Sequence, residues 1–88
     1  MPAITVGLPA ALTSPAPARD VICEASTVDE ALRAVVEQAP HYEQRIFYGD
    51  RLLVVVTLNG KHLSPAIVRE AQLAAGDRVE ILLPVAGG

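Results

Sequence analysis

Thr27-Val28-Asp29-Glu30 opens the clearest helical pattern in the chain, and that helix sets the problem the remaining residues must solve. Thr27 stands at a cap position, and Glu30, three residues on, can reach back to it in a capping box. Val28, Ala31, Leu32, Val35, Val36 and Ala39 then recur along one stripe until Pro40 ends the run. An apolar stripe on one helix has to be buried against another layer. With 88 residues there is room for one domain and one modest core.

The partner layer reads as a sheet. Ile4, Val6 and Leu8 alternate on one face of a first strand that Pro9 closes. The stretch Thr13 to Ala18 is a turn, and Asp20 to Glu24 returns as a strand able to pair with the first in a hairpin. His41 to Asp50 is an irregular or short helical connection. Leu52 to Leu58, apolar on both faces and rich in β-branched residues, predicts the strongest strand. Asn59-Gly60 predicts a tight hairpin into a short strand over Lys61 to Leu63. Ser64 to Ala75 crosses over with about one helical turn, Gly76-Asp77 turns again, and Arg78 to Leu83 is the last strand. Val79, Ile81 and Leu83 would share its buried face. The order strand, strand, helix, strand, short strand, strand gives a two-layer α+β domain. If the last strand lies beside the first, it is a β-grasp: a mixed sheet of four to five strands packed on one main helix.

Self-contained catalysis finds little support. His41, His62 and Cys23 are too few and too badly spaced for a zinc site. His41 suits the negative end of the helix, His62 an exposed turn, and Cys23 a buried strand position. Ser14 and Ser64 each precede a proline, with no base nearby in sequence and no nucleophile elbow. Asp29 and Glu30 are accounted for by the helix N-terminus. Arg69 and Arg78 read as solvated side chains, either able to meet an acidic partner surface. A formal charge of −3, two Tyr and one Phe leave no footprint for nucleic acid. The opening residues carry no basic and apolar signal-peptide regions, and the longest apolar run is far short of a membrane span. One cysteine fits a reducing compartment, so the sequence predicts a cytoplasmic protein.

The end of the chain is different. Pro84 stops strand pairing, so residues 1–83 should form the domain and 84–88 a flexible tail. Gly87 and Gly88 lack side chains and can enter a channel too narrow for other residues. The terminal carboxylate is ionised at neutral pH and becomes an acyl donor only after activation.

These residues resemble the ubiquitin-like sulfur carriers of the MoaD and ThiS family. The match lies in Gly76-Asp77-Arg78-Val79, Ile81-Leu82-Leu83-Pro84 and Val85-Ala86-Gly87-Gly88, with "VTLNGKHL" upstream. Pro-Val-Ala-Gly-Gly is characteristic of the MoaD branch. "ITVGLPAAL" and "ILLPVAGG" also look like the CysO type of carrier. Leu82-Leu83-Pro84 stands where MoaD proteins often carry two prolines and an aromatic residue. The resemblance implies that a MoeB- or ThiF-like enzyme adenylates Gly88 and that a sulfur donor converts it to a thiocarboxylate. A downstream synthase would then take the sulfur for a cysteine, cofactor or metabolite. Gly88 would carry the reactive carbonyl, Gly87 would give clearance, and Pro84, Val85 and Ala86 would dock the tail. ATP and Mg²⁺ would belong to the activating enzyme, leaving this chain with no cofactor and no catalytic role of its own. Two alternatives stay open: a small MoaD-type subunit seated on a MoaE-like partner, and a ubiquitin-like interaction module that carries nothing.

A carrier recognised by several enzymes should expose apolar surface beside its tail. If Val79, Ile81 and Leu83 face the helix, Leu82 faces out with Arg78 and Glu80. Leu53 and Val55 are assigned to the same outer face, forming one strip with Leu82 that leads to Pro84.

Overall fold

The computed structural model describes residues 1–83 except 14, 16 and 50. In chain order the elements are β1 (Ala3–Leu8), α1 (Ala10–Thr13), β2 (Arg19–Glu24), α2 (Val28–Gln38), a 3-10 turn (Pro40–Tyr42) and α3 (Glu43–Ile46). They continue with β3 (Phe47–Tyr48), β4 (Arg51–Leu52), β5 (Val55–Leu58), β6 (Lys61–Leu63), α4 (Pro65–Val68) and β7 (Arg78–Leu82). Five strands form one sheet in the order β2-β1-β7-β5-β6, and β3 with β4 forms a separate ribbon. β1 and β7 run parallel at the centre, while every other described pair is antiparallel. This is the mixed β-grasp sheet, with both hairpin partners at its edges.

The helix forms as its local code dictates. Glu30 N–H donates to Thr27 Oγ1 at 3.2 Å, and Glu30 Oε1 accepts from the backbone of Ser26 at 2.8 Å and Thr27 at 3.3 Å. Val28, Ala31, Leu32 and Val35 are buried along one stripe. They meet the inward side of the sheet, where Ile4, Val6, Leu8, Val21, Val56, Val79 and Ile81 are almost completely enclosed. A buried aliphatic side chain of this kind contributes roughly 1.5–3 kcal/mol before entropy is counted.

Three local expectations are modified. Ahead of the turn expected at Thr13 to Ala18, α1 forms after Pro9, and its Leu12 and Thr13 N–H groups donate to Pro9 O. Leu12 is buried there, and Leu12 O accepts from Arg45 Nη1 at 2.6 Å. Leu52 to Leu58 is not one strand. Leu53 N–H donates to Ile46 O at 2.8 Å, β4 pairs with β3, and only Val55 onward joins the main sheet. Hydropathy reads the segment as continuous because both halves are apolar; the change of pairing partner leaves no mark on that pattern. Leu83 is 37% exposed instead of lying on the core face with Val79 and Ile81. β5 begins at Val55, the partner of Leu82, so Leu83 has no neighbouring strand against which to continue the buried row.

Candidate functional site

β7 is held between β1 and β5 and delivers the chain at Leu83. Pro84, Val85, Ala86, Gly87 and Gly88, read from sequence as the docking and sulfur-carrying tail, lie outside the described residues. The described portion of the site is therefore the base from which that segment departs.

Two turns anchor the other end of β7. Asn59 and Gly60 both have positive φ, 51° and 85°, as a two-residue hairpin of the primed type requires. The Asn59 amide reaches across to the other turn: Nδ2 donates to Asp77 Oδ1 at 3.1 Å, and Oδ1 accepts from Arg78 N–H at 2.9 Å. Asp77 Oδ2 also accepts from Ala74 N–H at 2.8 Å. That backbone bond, with the Asn59 amide second, holds the Asp77 carboxyl below its ordinary range. Gly76, at φ 86°, makes the turn that brings Asp77 into this position. The first residue of β7 is thereby tied to the β5–β6 hairpin.

Of the three residues expected to form an outer strip, Val55 and Leu82 lie in the main sheet, and Leu53 lies between β4 and β5. Leu82 pairs in register with Val55, so the two side chains lie side by side on one face. Leu82 is 43% exposed, Val55 is half-buried, and Leu53 is 37% exposed. The opposite set, Val54 and Val56, is buried. Leu83, one residue past the end of β7, is exposed as well.

Beside this strip, Arg78 is not simply solvated. Its guanidinium bonds Asp20 twice, at 2.9 and 3.2 Å, and its Nε donates to Glu80 at 2.9 Å. The Asp20 bond, with Glu80 second, holds the guanidinium more firmly protonated, and the same bond lowers the Asp20 carboxyl. The bridge crosses β1 over Gly7, where a Cβ would come within 2.8 Å of the Arg78 Nη2. The sequence signal for this close approach is Gly7 itself, interrupting an otherwise β-forming strand.

The other candidates stay separate. Cys23 is buried, and burial pushes its thiol up, away from a nucleophilic thiolate. His41 is exposed in the 3-10 turn with its ring 4.1 Å from that of Tyr42, and His62 is exposed on β6. Ser64 precedes α4 without a side-chain cap bond, and Ser14 lies outside the described residues. Asp29 pairs with Arg33 one helical turn on. Arg69 is exposed. Among the described residues no group of three or more His, Cys, Asp or Glu side chains is placed to hold a metal, and no helix is long and apolar enough to cross a membrane.

Comparison with known proteins places this geometry. The sequence profile of the ThiS family matches residues 8–88. No curated protein sequence matches at a significant level. Among solved structures, small archaeal modifier protein 1 from Haloferax volcanii is 29% identical, with a TM-score of 0.74 over 98% of this chain and 99% of that one. Its counterpart from Methanosarcina acetivorans is 24% identical, with a TM-score of 0.78 over 100% and 98%. A Helicobacter pylori complex of molybdopterin-converting factor subunits 1 and 2 matches at 20% identity, with a TM-score of 0.65 over 98% and 99%.

Proposed function

The chain belongs to the ThiS family of ubiquitin-like sulfur carriers, and from that premise we propose that Gly88 is its cargo site. The observation that carries this reading is the family match, which runs through the Gly-Gly pair to residue 88. In the first step the Gly88 carboxylate attacks the α-phosphorus of ATP on a MoeB- or ThiF-like enzyme, and pyrophosphate leaves. A sulfur nucleophile of the hydrosulfide level then attacks the acyl carbon, and AMP leaves to give the thiocarboxylate. A downstream synthase takes the sulfur. ATP and Mg²⁺ are used by the activating enzyme; this chain is a co-substrate and needs no cofactor of its own. Leu53, Val55 and Leu82 supply apolar contact area beside the tail, and Gly87 supplies clearance in the partner channel.

Intact mass spectrometry tests the proposal. Incubation with ATP, Mg²⁺, a sulfide source and a MoeB-like enzyme should exchange one oxygen for one sulfur, with fragmentation placing it on Gly88. Removing Gly88 should abolish the exchange. No exchange with a panel of activating enzymes, each active on its own carrier, would overturn it.

The likeness to a Haloferax protein named as a modifier supports a second use of the same activated end: an amine attacks the Gly88 acyl carbon, AMP leaves, and the whole chain is joined to that amine by an amide bond. Amide-linked conjugates formed without added sulfide would favour that reading. Co-purification with a MoaE-like subunit would instead favour a role within a molybdopterin synthase.

A further inference from the structure

A cavity of about 680 Å³ opens on the flank of the domain, between α2, the β3–β4 ribbon and α4. Phe47, Leu52 and Val68 give it an apolar lining. Arg33, Arg51 and Arg69 line it as well, and so does Asp29. Arg33 and Arg51 set two cations beside that one carboxylate in a chain whose net charge is −3.

Arg33 is held from two sides. Its Nε donates to Asp29 Oδ2 at 2.9 Å, and its guanidinium carbon stands 5.2 Å from the centroid of the Phe47 ring. That distance is within the range of cation–π attraction. Asp29 uses only the Nε edge, which leaves the paired Nη donors to an incoming acceptor. A carboxylate matches that fork. A small inorganic anion would meet the charge but gain nothing from Phe47, Leu52 and Val68. A peptide bearing both acidic and apolar side chains uses the charged and the apolar lining together.

We propose that this cavity binds an acidic peptide segment of a partner protein, one apolar side chain seated against Phe47, Leu52 and Val68 and its carboxylates paired with Arg33 and Arg51. Leu52 lines the cavity, whereas its neighbour Leu53 is exposed two residues before Val55. Neither Val55 nor Leu82 lines the cavity, so the flank and the outer sheet face are different surfaces. A partner held on the flank leaves Leu82 uncovered, so two proteins can engage the domain together. This inference does not depend on sulfur chemistry.

The test is a titration of the ¹⁵N-labelled full chain with capped short peptides in which Asp and Glu flank one Leu, Ile, Phe or Met. Amide shifts should centre on Arg33, Phe47, Leu52 and Val68 and saturate with a Kd below about 1 mM. Affinity should fall at least about tenfold when salt is raised from about 50 to about 500 mM. It should fall similarly in the Arg33→Gln, Arg51→Gln double variant, whose spectrum away from the cavity reports an intact fold. Should that variant not fold, Arg51→Gln alone carries the same expectation. The proposal is overturned by no shifts at those amides, by an equal response to peptides with Lys in place of the acids, or by affinity unchanged in the variant. Inorganic phosphate alone giving the same shifts at the same concentration would make it a small-anion site and overturn it too. So would shifts centred on the outer sheet face.

Discussion

Asn59 carries more of the fold than its exposed position suggests. It takes a positive φ that other side chains adopt at a cost, and its amide spans the hairpin and the Gly76-Asp77 turn. Replacing it with Ala loses both cross-turn bonds and keeps the backbone strain. Asn59→Ala should therefore destabilise the domain by about 1–2 kcal/mol, which for a chain of this size lowers Tm by roughly 4–15 °C. Urea unfolding with an unchanged m-value would attribute the loss to the native state, and a loss within error of zero would remove Asn59 from this role. Two residues at the turns were legible in the sequence one by one, Asn59 through its pair with Gly60 and Asp77 through its pair with Gly76. Their bond to each other was not, because it joins positions 18 apart that only the sheet brings together. The Arg78 bridge to Asp20 spans 58 residues and was equally out of reach of any local pattern, which is why Arg78 reads as merely solvated.

At the scale of elements, α2 and the β5–β6 hairpin were readable because their determinants lie within four residues of each other. The division of Leu52 to Leu58 between a ribbon and a sheet was not, since alternation records burial and not the identity of the neighbouring strand. That division matters for β7. Leu82 takes its place on the outer face from its register with Val55, the first residue of β5. Charge introduced there meets no core, so Leu82→Asp should leave Tm nearly unchanged. It should weaken binding to an activating enzyme at least about tenfold, the scale of a central apolar contact at an interface. Calorimetric titration against that enzyme, paired with a thermal melt, separates the outcomes. A large drop in Tm would make Leu82 a core residue, and unchanged affinity would remove the outer strip from recognition.

For the molecule as a whole, acid should act through Asp20 and Asp77. Each folded carboxyl lies below its ordinary value of 3.8, Asp20 chiefly through its Arg78 bond and Asp77 chiefly through the Ala74 N–H. The unfolded chain therefore binds more protons than the folded one just below that pH. Their stabilisation is complete above about pH 5 and is withdrawn as pH falls through the folded values. A Tm series from about pH 6 to about pH 2 should decline at its acid end, and the Asp20→Asn, Asp77→Asn pair should show a shallower decline. An identical slope in the double variant would assign acid sensitivity to other groups. The parallel pairing of β1 with β7 has a mechanical meaning as well. Tension applied between Ala3, at the start of one central strand, and Leu82, at the finish of the other, pulls the two strands in opposite directions along their length. The hydrogen bonds joining them then share the load and must yield together, whereas an antiparallel pair pulled from its open end would unzip bond by bond. An unfolding motor that grips the chain beyond Leu82 meets this clamp before it can reach the rest of the fold.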